Sequence, residues 1–124
     1  MDNDGDSFGA TVRRLREERK IGLRKFAEMV RMSPTYLSKV ERDEFKPPSE
    51  EKIKAIAEAL GEDTNGLLAL AGRVSTDLAD IVQRQIQRHP SEAADFLRSV
   101  NGLSAKDMQR LAKQARRLKK EEGN

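Results

Sequence analysis

Apolar residues recur along most of the chain at the three- and four-residue spacing of amphipathic helices. Five such segments precede residue 74 and three follow it. Ser7, Ser33 and Ser49 stand where N-caps are expected, and Gly61 and Gly72 stand where helices end. No segment shows the strict alternation of a half-buried strand, so the pattern predicts an all-α protein.

The breaks between these segments divide the chain into three predicted regions. We predict a disordered acidic N-terminus over residues 1–7, a five-helix domain over residues 8–73 and a three-helix region over residues 74–124. The last three helices are predicted at about Asp77 to His89, Glu92 to Val100 and Ala105 to Lys120.

The third segment, "SPTYLSKVER", is unusually polar for a short helix inside a small domain. Only Leu37 and Val40 can hold it against a core, and its leading end is left polar. The turn before it is too short for the two flanking helices to lie antiparallel. Such a pair crosses steeply, as in a helix-turn-helix, whose second helix enters the major groove of DNA.

The charge distribution and the composition reduce the number of possible function classes further. The net charge is +3, but residues 13–46 hold eleven Lys/Arg against six Asp/Glu, and residues 108–120 hold six basic residues and no acidic one. These two basic zones favour an anionic partner. With no cysteine, one histidine, no Gly-rich phosphate loop and no carboxylate pair at metal-ligand spacing, we predict no metal, no other cofactor and no enzyme activity.

The chain has no apolar run of membrane-spanning length, and its first residues lack the basic and apolar parts of a signal peptide. We therefore expect no membrane association and a cytoplasmic, nucleoid-associated protein.

From Phe8 to about Val74 the chain resembles the Cro/phage-repressor-like helix-turn-helix regulators, often called XRE-type. The resemblance lies in "LREERKIGLRKFAEMV", "SPTYLSKVER" and "PSEEKIKAIAEALGEDTNGLLALAGR", in this order and at this spacing. It implies a five-helix lambda-repressor-like domain that binds double-stranded DNA at an inverted-repeat operator. It also implies an internal ion pair between Arg16 and Glu41, for which two solvated surface charges are the alternative.

The resemblance also implies which side chains contact DNA. Thr35 and Lys39 stand where family members contact base edges, with Pro34 between them and the groove floor. A lysine can donate to guanine, and a threonine methyl can pack on thymine. The predicted contacts to the DNA backbone are Tyr36, Ser38, Arg42, Lys46, Arg24 and Arg31.

Three positions depart from the family pattern. Gly22 and Leu23 replace the usual polar cap and DNA-contacting glutamine, so that contact is expected to be lost or taken over by Arg24. Arg31 replaces the glycine expected before the third helix. A left-handed conformation there would be strained, and alternatively the Arg31 side chain would reach the DNA backbone.

The C-terminal helices are predicted to form a dimerisation region, because one helix-turn-helix contacts too few bases to be selective. Capping the domain's own core is the alternative. The basic end, "RLAKQARRLKK", fits a second phosphate contact or a solvated helix end. The predicted dimerisation residues are Leu78, Ile81, Val82, Ile86, Phe96, Leu97, Val100, Leu103, Met108 and Leu111.

These features together predict a sequence-specific homodimeric repressor of its own or a neighbouring operon, of the mobile-element, defence or stress-response kind. "ADFLRSVNGLS" resembles the helical region that a partner metallopeptidase cuts in some XRE-type repressors, which would put a cut near Leu97; an ordinary amphipathic helix is the alternative. A second function class is an antitoxin that binds DNA and masks a toxin with its C-terminal helices. The sequence does not identify the operator, the regulated genes or the inducing signal. It also leaves open whether the protein activates or represses transcription.

Overall fold

The structure is a computed structural model that describes residues 6–123, which form eight α-helices and no strand. The predicted all-α class is confirmed. Of the predicted disordered N-terminus, residues 1–5 lie outside the described residues. The helices are α1 Phe8–Glu18, α2 Leu23–Met29, α3 Pro34–Glu41, α4 Glu50–Leu60, α5 Thr64–Leu70, α6 Thr76–Arg88, α7 Pro90–Val100 and α8 Ala105–Glu122.

Serine side chains fix the start of four helices. The hydroxyl oxygens of Ser7, Ser33, Ser49 and Ser104 each accept a backbone N–H from the third residue along, at 3.0–3.3 Å. Each bond satisfies one amide that the first helical turn leaves without a partner. Gly61 ends α4 in a left-handed conformation, with φ of 71°.

The C-terminal helices begin and end within two residues of their predicted bounds, and α7 ends at Val100 and α8 begins at Ala105 as predicted. α6 begins at Thr76, whose backbone N–H and hydroxyl both donate to the Glu50 carboxylate, at 3.2 and 2.8 Å. α7 begins at Pro90 rather than at Glu92, because a proline at the first helical position has no amide to satisfy. α8 continues past Lys120 to Glu122.

A single apolar core lies among the first five helices. Leu37 and Val40 are fully buried and hold α3 from behind, and the small, buried Ala27 lets α2 and α3 approach closely. The core residues are Phe8, Val12, Leu15, Phe26, Ala27, Val30, Met32, Leu37, Val40, Ile53, Ile56, Ala57, Leu60, Leu67 and Leu68.

The chain divides into two compact units, and the division falls within α6 between Ala79 and Asp80. The core belongs to the first unit. In the described part of the second unit every side chain is exposed or half-buried, including those of Phe96 and Leu97. None of the described helices combines the length and the apolar character needed to cross a bilayer.

Candidate nucleic-acid interface

The turn between α2 and α3 sets the direction in which α3 leaves the core. Arg31 adopts the left-handed conformation there, with φ of 57°. Lys52 of α4 closes the turn, since its Nζ donates to the carbonyl oxygens of Val30 at 3.2 Å and Arg31 at 2.8 Å. α4 therefore fixes the backbone from which α3 begins. Lys52 was not among the residues predicted from the sequence, because nothing in its spacing shows that it faces two carbonyl groups.

The outer face of α3 is polar and accessible. Pro34 and Thr35 are exposed, whereas Tyr36, Ser38 and Lys39 are half-buried. The N-terminal end of α3 thus presents a short polar front, while the apolar back of the helix is in the core.

The other end of α3 is held by the start of α1. Gly9 lies directly against the Val40 carbonyl oxygen, so closely that a side-chain methyl group at position 9 would overlap it. Ser7 Oγ donates to Asp43 Oδ2 at 2.7 Å, and Asp43 is left-handed with φ of 63°. These contacts turn the chain sharply as it leaves α3.

That turn brings Phe45 back beside Tyr36 and Lys39 on the outer face of α3. The backbone N–H groups of Glu44 and Phe45 donate to the Lys39 carbonyl oxygen at 2.9 and 3.3 Å. The Phe45 ring centroid lies 5.6 Å from that of Tyr36 and 5.2 Å from Lys39 Nζ. Sequence reasoning missed Phe45, although a lone aromatic residue in the polar loop "RDEFKPP" was a usable signal.

The basic side chains predicted to contact the DNA backbone have different surroundings. Arg24, Arg31 and Lys46 are exposed. Arg42 is also exposed, but its Nε donates to the Ser38 carbonyl at 3.3 Å and its Nη1 lies 3.3 Å from Glu44 Oε2. Arg42 therefore has intramolecular partners on the same surface, which a phosphate would have to replace.

Arg16 and Glu41 form an ion pair inside the domain. Arg16 Nε and Nη2 donate to the two carboxylate oxygens of Glu41 at 2.8 and 3.0 Å, and the side chains are 9% and 3% exposed. The hydrogen bond with Glu41 raises the pKa of Arg16 above its usual value, although burial opposes the shift. The pair is thus a buried contact between α1 and α3 rather than two solvated charges.

The predicted dimerisation residues carry large exposed apolar surfaces. Leu78, Ile81, Val82, Ile86, Phe96, Leu97, Leu103 and Met108 are each between 39% and 54% exposed, and Val100 and Leu111 are half-buried. Ile81, Val82, Phe96 and Leu97 line one groove of about 410 Å³ between α6 and α7. Between residues 6 and 123 no cluster of three or more His, Asp or Glu side chains suits a metal ion.

The first unit is similar to known helix-turn-helix proteins. A family model described as a helix-turn-helix domain matches residues 9–73. The chain is 36% identical over 69 residues to the HTH-type transcriptional repressor RghR of Bacillus subtilis, a match over 56% of this chain and 51% of RghR. It therefore spans about half the length of that relative.

Two further similarities extend the comparison. The chain is 27% identical over 101 residues to the immunity repressor protein of Bacillus phage phi105, covering 79% of this chain and 69% of the phage protein. The crystal structure of the clp gene regulator ClgR from Corynebacterium glutamicum matches with a TM-score of 0.46 and 34% identity, over 67% of this chain and 90% of that one.

Proposed function

Because the chain belongs to the Cro/phage-repressor-like (XRE-type) helix-turn-helix family of transcriptional regulators, we propose that it is a homodimeric repressor that binds an inverted-repeat operator in double-stranded DNA. Two relatives, RghR and the phi105 immunity protein, are named as repressors. In this proposal the protein acts in the cytoplasm, at the nucleoid. It regulates its own or a neighbouring operon, of the mobile-element, defence or stress-response kind.

The observation that carries the proposal is the polarity of α3. Its apolar residues Leu37 and Val40 are buried, and its N-terminal side chains are accessible. In the proposed complex α3 lies in the major groove. Thr35 and Lys39 contact base edges there, and Pro34 packs against the groove floor.

Side chains around α3 supply the sequence-independent part of the proposed affinity. Arg24, Arg31 and Lys46 are exposed and positively charged, so they suit contacts to phosphate groups. Tyr36 and Ser38 contribute polar contacts to the DNA backbone. In this arrangement Arg42 exchanges Glu44 for a phosphate oxygen.

The second unit supplies the proposed dimer contact. Its apolar side chains find no buried position within the single chain, and a second copy is the partner that an inverted-repeat operator requires. Two α3 helices would then reach half-sites about 34 Å apart, one helical turn of B-DNA.

Selection from a random double-stranded DNA library tests this function. We expect the full chain to enrich an inverted repeat and its affinity to fall steeply between about 50 and 200 mM salt. Thr35→Ala and Lys39→Ala should relax base preference at single positions, and Lys46→Ala should weaken binding to all sequences alike. Lys54→Ala removes an exposed lysine outside the proposed interface and serves as the control. Enrichment of no sequence would refute the proposal.

An alternative function uses the exposed C-terminal surface differently. In an antitoxin, the groove lined by Phe96 and Leu97 would bind a toxin instead of a second copy. The two functions differ in the mass of the purified species, which would be a homodimer in one case and a heteromeric complex in the other. Co-expression with the product of an adjacent gene, followed by mass measurement, distinguishes them.

Release of repression by a partner metallopeptidase is the proposed regulatory step. The bond between Leu97 and Arg98 lies on an exposed part of α7, a helix without a buried residue. Few buried contacts oppose local unfolding there, and a protease needs such unfolding to bind a helix. The step is supported if cleavage in this segment abolishes operator binding, and if a chain with a cleavage-resistant α7 still binds the operator after the same treatment.

A further inference from the structure

We propose that Phe45 reads a thymine: its ring packs on the C5-methyl group of a thymine at the edge of the base pairs that α3 contacts. The inference rests on the proposed function, because it needs α3 to lie in the major groove. It assigns a specificity role to a residue outside α3.

The backbone around Phe45 is fixed by several independent contacts. Ser7 Oγ donates to Asp43 Oδ2 at 2.7 Å, and Asp43 takes the left-handed conformation that reverses the chain. The N–H of Phe45 then donates to the Lys39 carbonyl oxygen at 3.3 Å. The backbone of Phe45 is therefore tied to α3, so the residue accompanies α3 into any groove that this helix enters.

The ring is poorly placed for a structural role alone. Phe45 is 45% exposed, whereas Phe8 and Phe26 of the same unit are buried in the core. Its neighbours are the Tyr36 ring, at 5.6 Å between centroids, and Lys39 Nζ, at 5.2 Å. An exposed aromatic ring beside two α3 side chains creates an apolar spot on an otherwise polar front.

The major groove offers one apolar group to such a spot. Each base exposes hydrogen-bonding groups there, and thymine alone adds a methyl group, at C5, where cytosine has only a hydrogen atom. A phenylalanine side chain has no hydrogen-bond donor or acceptor, so apolar contact with that methyl group is its main means of discriminating bases in the groove.

The contact with Lys39 gives Phe45 a second effect on the same face. An ammonium group over an aromatic ring is attracted by the ring's negative face, which restricts the otherwise flexible lysine. Lys39 Nζ keeps further N–H donors for guanine O6 or N7. The pair thus suits a thymine beside a guanine, with Phe45 on the methyl group and Lys39 on the purine.

Uracil substitution separates this role from structural support of the loop. After the wild-type chain has selected an operator, each thymine is replaced singly by uracil, which removes only the methyl group. We expect a position in each half-site, besides any thymine that Thr35 contacts, at which uracil lowers wild-type affinity about fourfold, the factor that burial of one methyl group provides. Phe45→Ala should bind more weakly overall and show no preference for thymine at that position.

Phe45→Leu is the matched control, because it keeps an apolar side chain at the same backbone position and should retain part of the thymine preference. Thermal unfolding of each variant measures any change in the loop. The inference is overturned if the wild-type chain selects an operator but tolerates uracil at every position, or if Phe45→Ala keeps the wild-type preference. A chain that selects no DNA sequence overturns the proposed function, and the inference with it.

Discussion

Arg16 of α1 and Glu41 of α3 meet through two hydrogen bonds, from Nε to Oε2 at 2.8 Å and from Nη2 to Oε1 at 3.0 Å. Arg16 Nη1 also donates to the Ile21 carbonyl oxygen at 2.8 Å. One guanidinium group therefore links the end of α3 to the turn between α1 and α2. The orientation of α3 depends on a charged contact as well as on the apolar core.

Glu41→Leu should destabilise the protein by about 3–5 kcal/mol, because it leaves the Arg16 charge buried without a partner. Combining it with Arg16→Met should recover part of that loss, since no unpaired charge remains. The free energy of unfolding in urea measures both effects.

The exposed pair of Arg13 and Glu17 provides the control, with a 3.2 Å separation and both side chains 55% exposed. Arg13→Met should change the free energy of unfolding by less than about 1 kcal/mol. If Glu41→Leu behaves like Arg13→Met, the buried pair does not stabilise the arrangement of α1 and α3.

Gly9→Ala should destabilise the domain and disturb the end of α3. Its methyl group would overlap the Val40 carbonyl oxygen and lie 2.8 Å from Asp43 Oδ1, so α1 and α3 would have to separate. Overpacking of this kind costs about 1–3 kcal/mol. Gly66→Ala in α5 meets only Asp63 Oδ2, at 3.9 Å, and should instead stabilise by up to about 1 kcal/mol. Thermal unfolding of the two variants should move in opposite directions; a shared direction would contradict the close approach.

The helices and their caps were predictable because they depend on local sequence. The serine caps, Pro34 at the start of α3 and the burial of Leu37 and Val40 all follow from residue type and spacing. The ion pair of Arg16 and Glu41 joins residues that are distant in the sequence. It was inferred from the family resemblance and not from residue type and spacing.

The surroundings of the interface were not predictable in the same way. The position of Phe45 over Lys39 depends on Asp43, Ser7 and the missing side chain of Gly9, which lie up to 36 residues apart. Lys52 contacts Val30 across a separation of 22 residues. Residue spacing predicts which side chains share one face of a helix. It does not predict which residues of another helix or loop contact that face.

Arg31→Gly should stabilise the domain and weaken DNA binding. Arg31 is left-handed with φ of 57°, a conformation that costs a non-glycine residue about 1–2 kcal/mol. Glycine removes that cost but loses more freedom on folding, so the net gain should be about 0.5–1 kcal/mol. If Arg31 also contacts a phosphate, the slope of log affinity against log salt should fall by about one.

Lys20→Gly separates the two effects of that change. Lys20 has the same φ of 57° in the turn after α1, and it is not among the predicted DNA contacts. It should give a similar stabilisation, measured by thermal unfolding, with unchanged operator affinity. Equal losses of affinity in both variants would show that Arg31 contributes no specific phosphate contact.

Phe96→Asp should dissociate the proposed dimer without unfolding the first unit. The ring is 54% exposed in the single chain, so its replacement leaves no cavity in a monomer. In a dimer the aspartate would be buried in an apolar contact, which strongly opposes association. Sedimentation equilibrium should show a lower average mass than wild type, and affinity should fall for an operator with two half-sites but not for a single half-site.

Ser91→Asp adds the same charge at an exposed position of α7 and should leave the mass unchanged. A Phe96→Asp variant that keeps the wild-type mass would exclude the α6–α7 groove from the dimer contact.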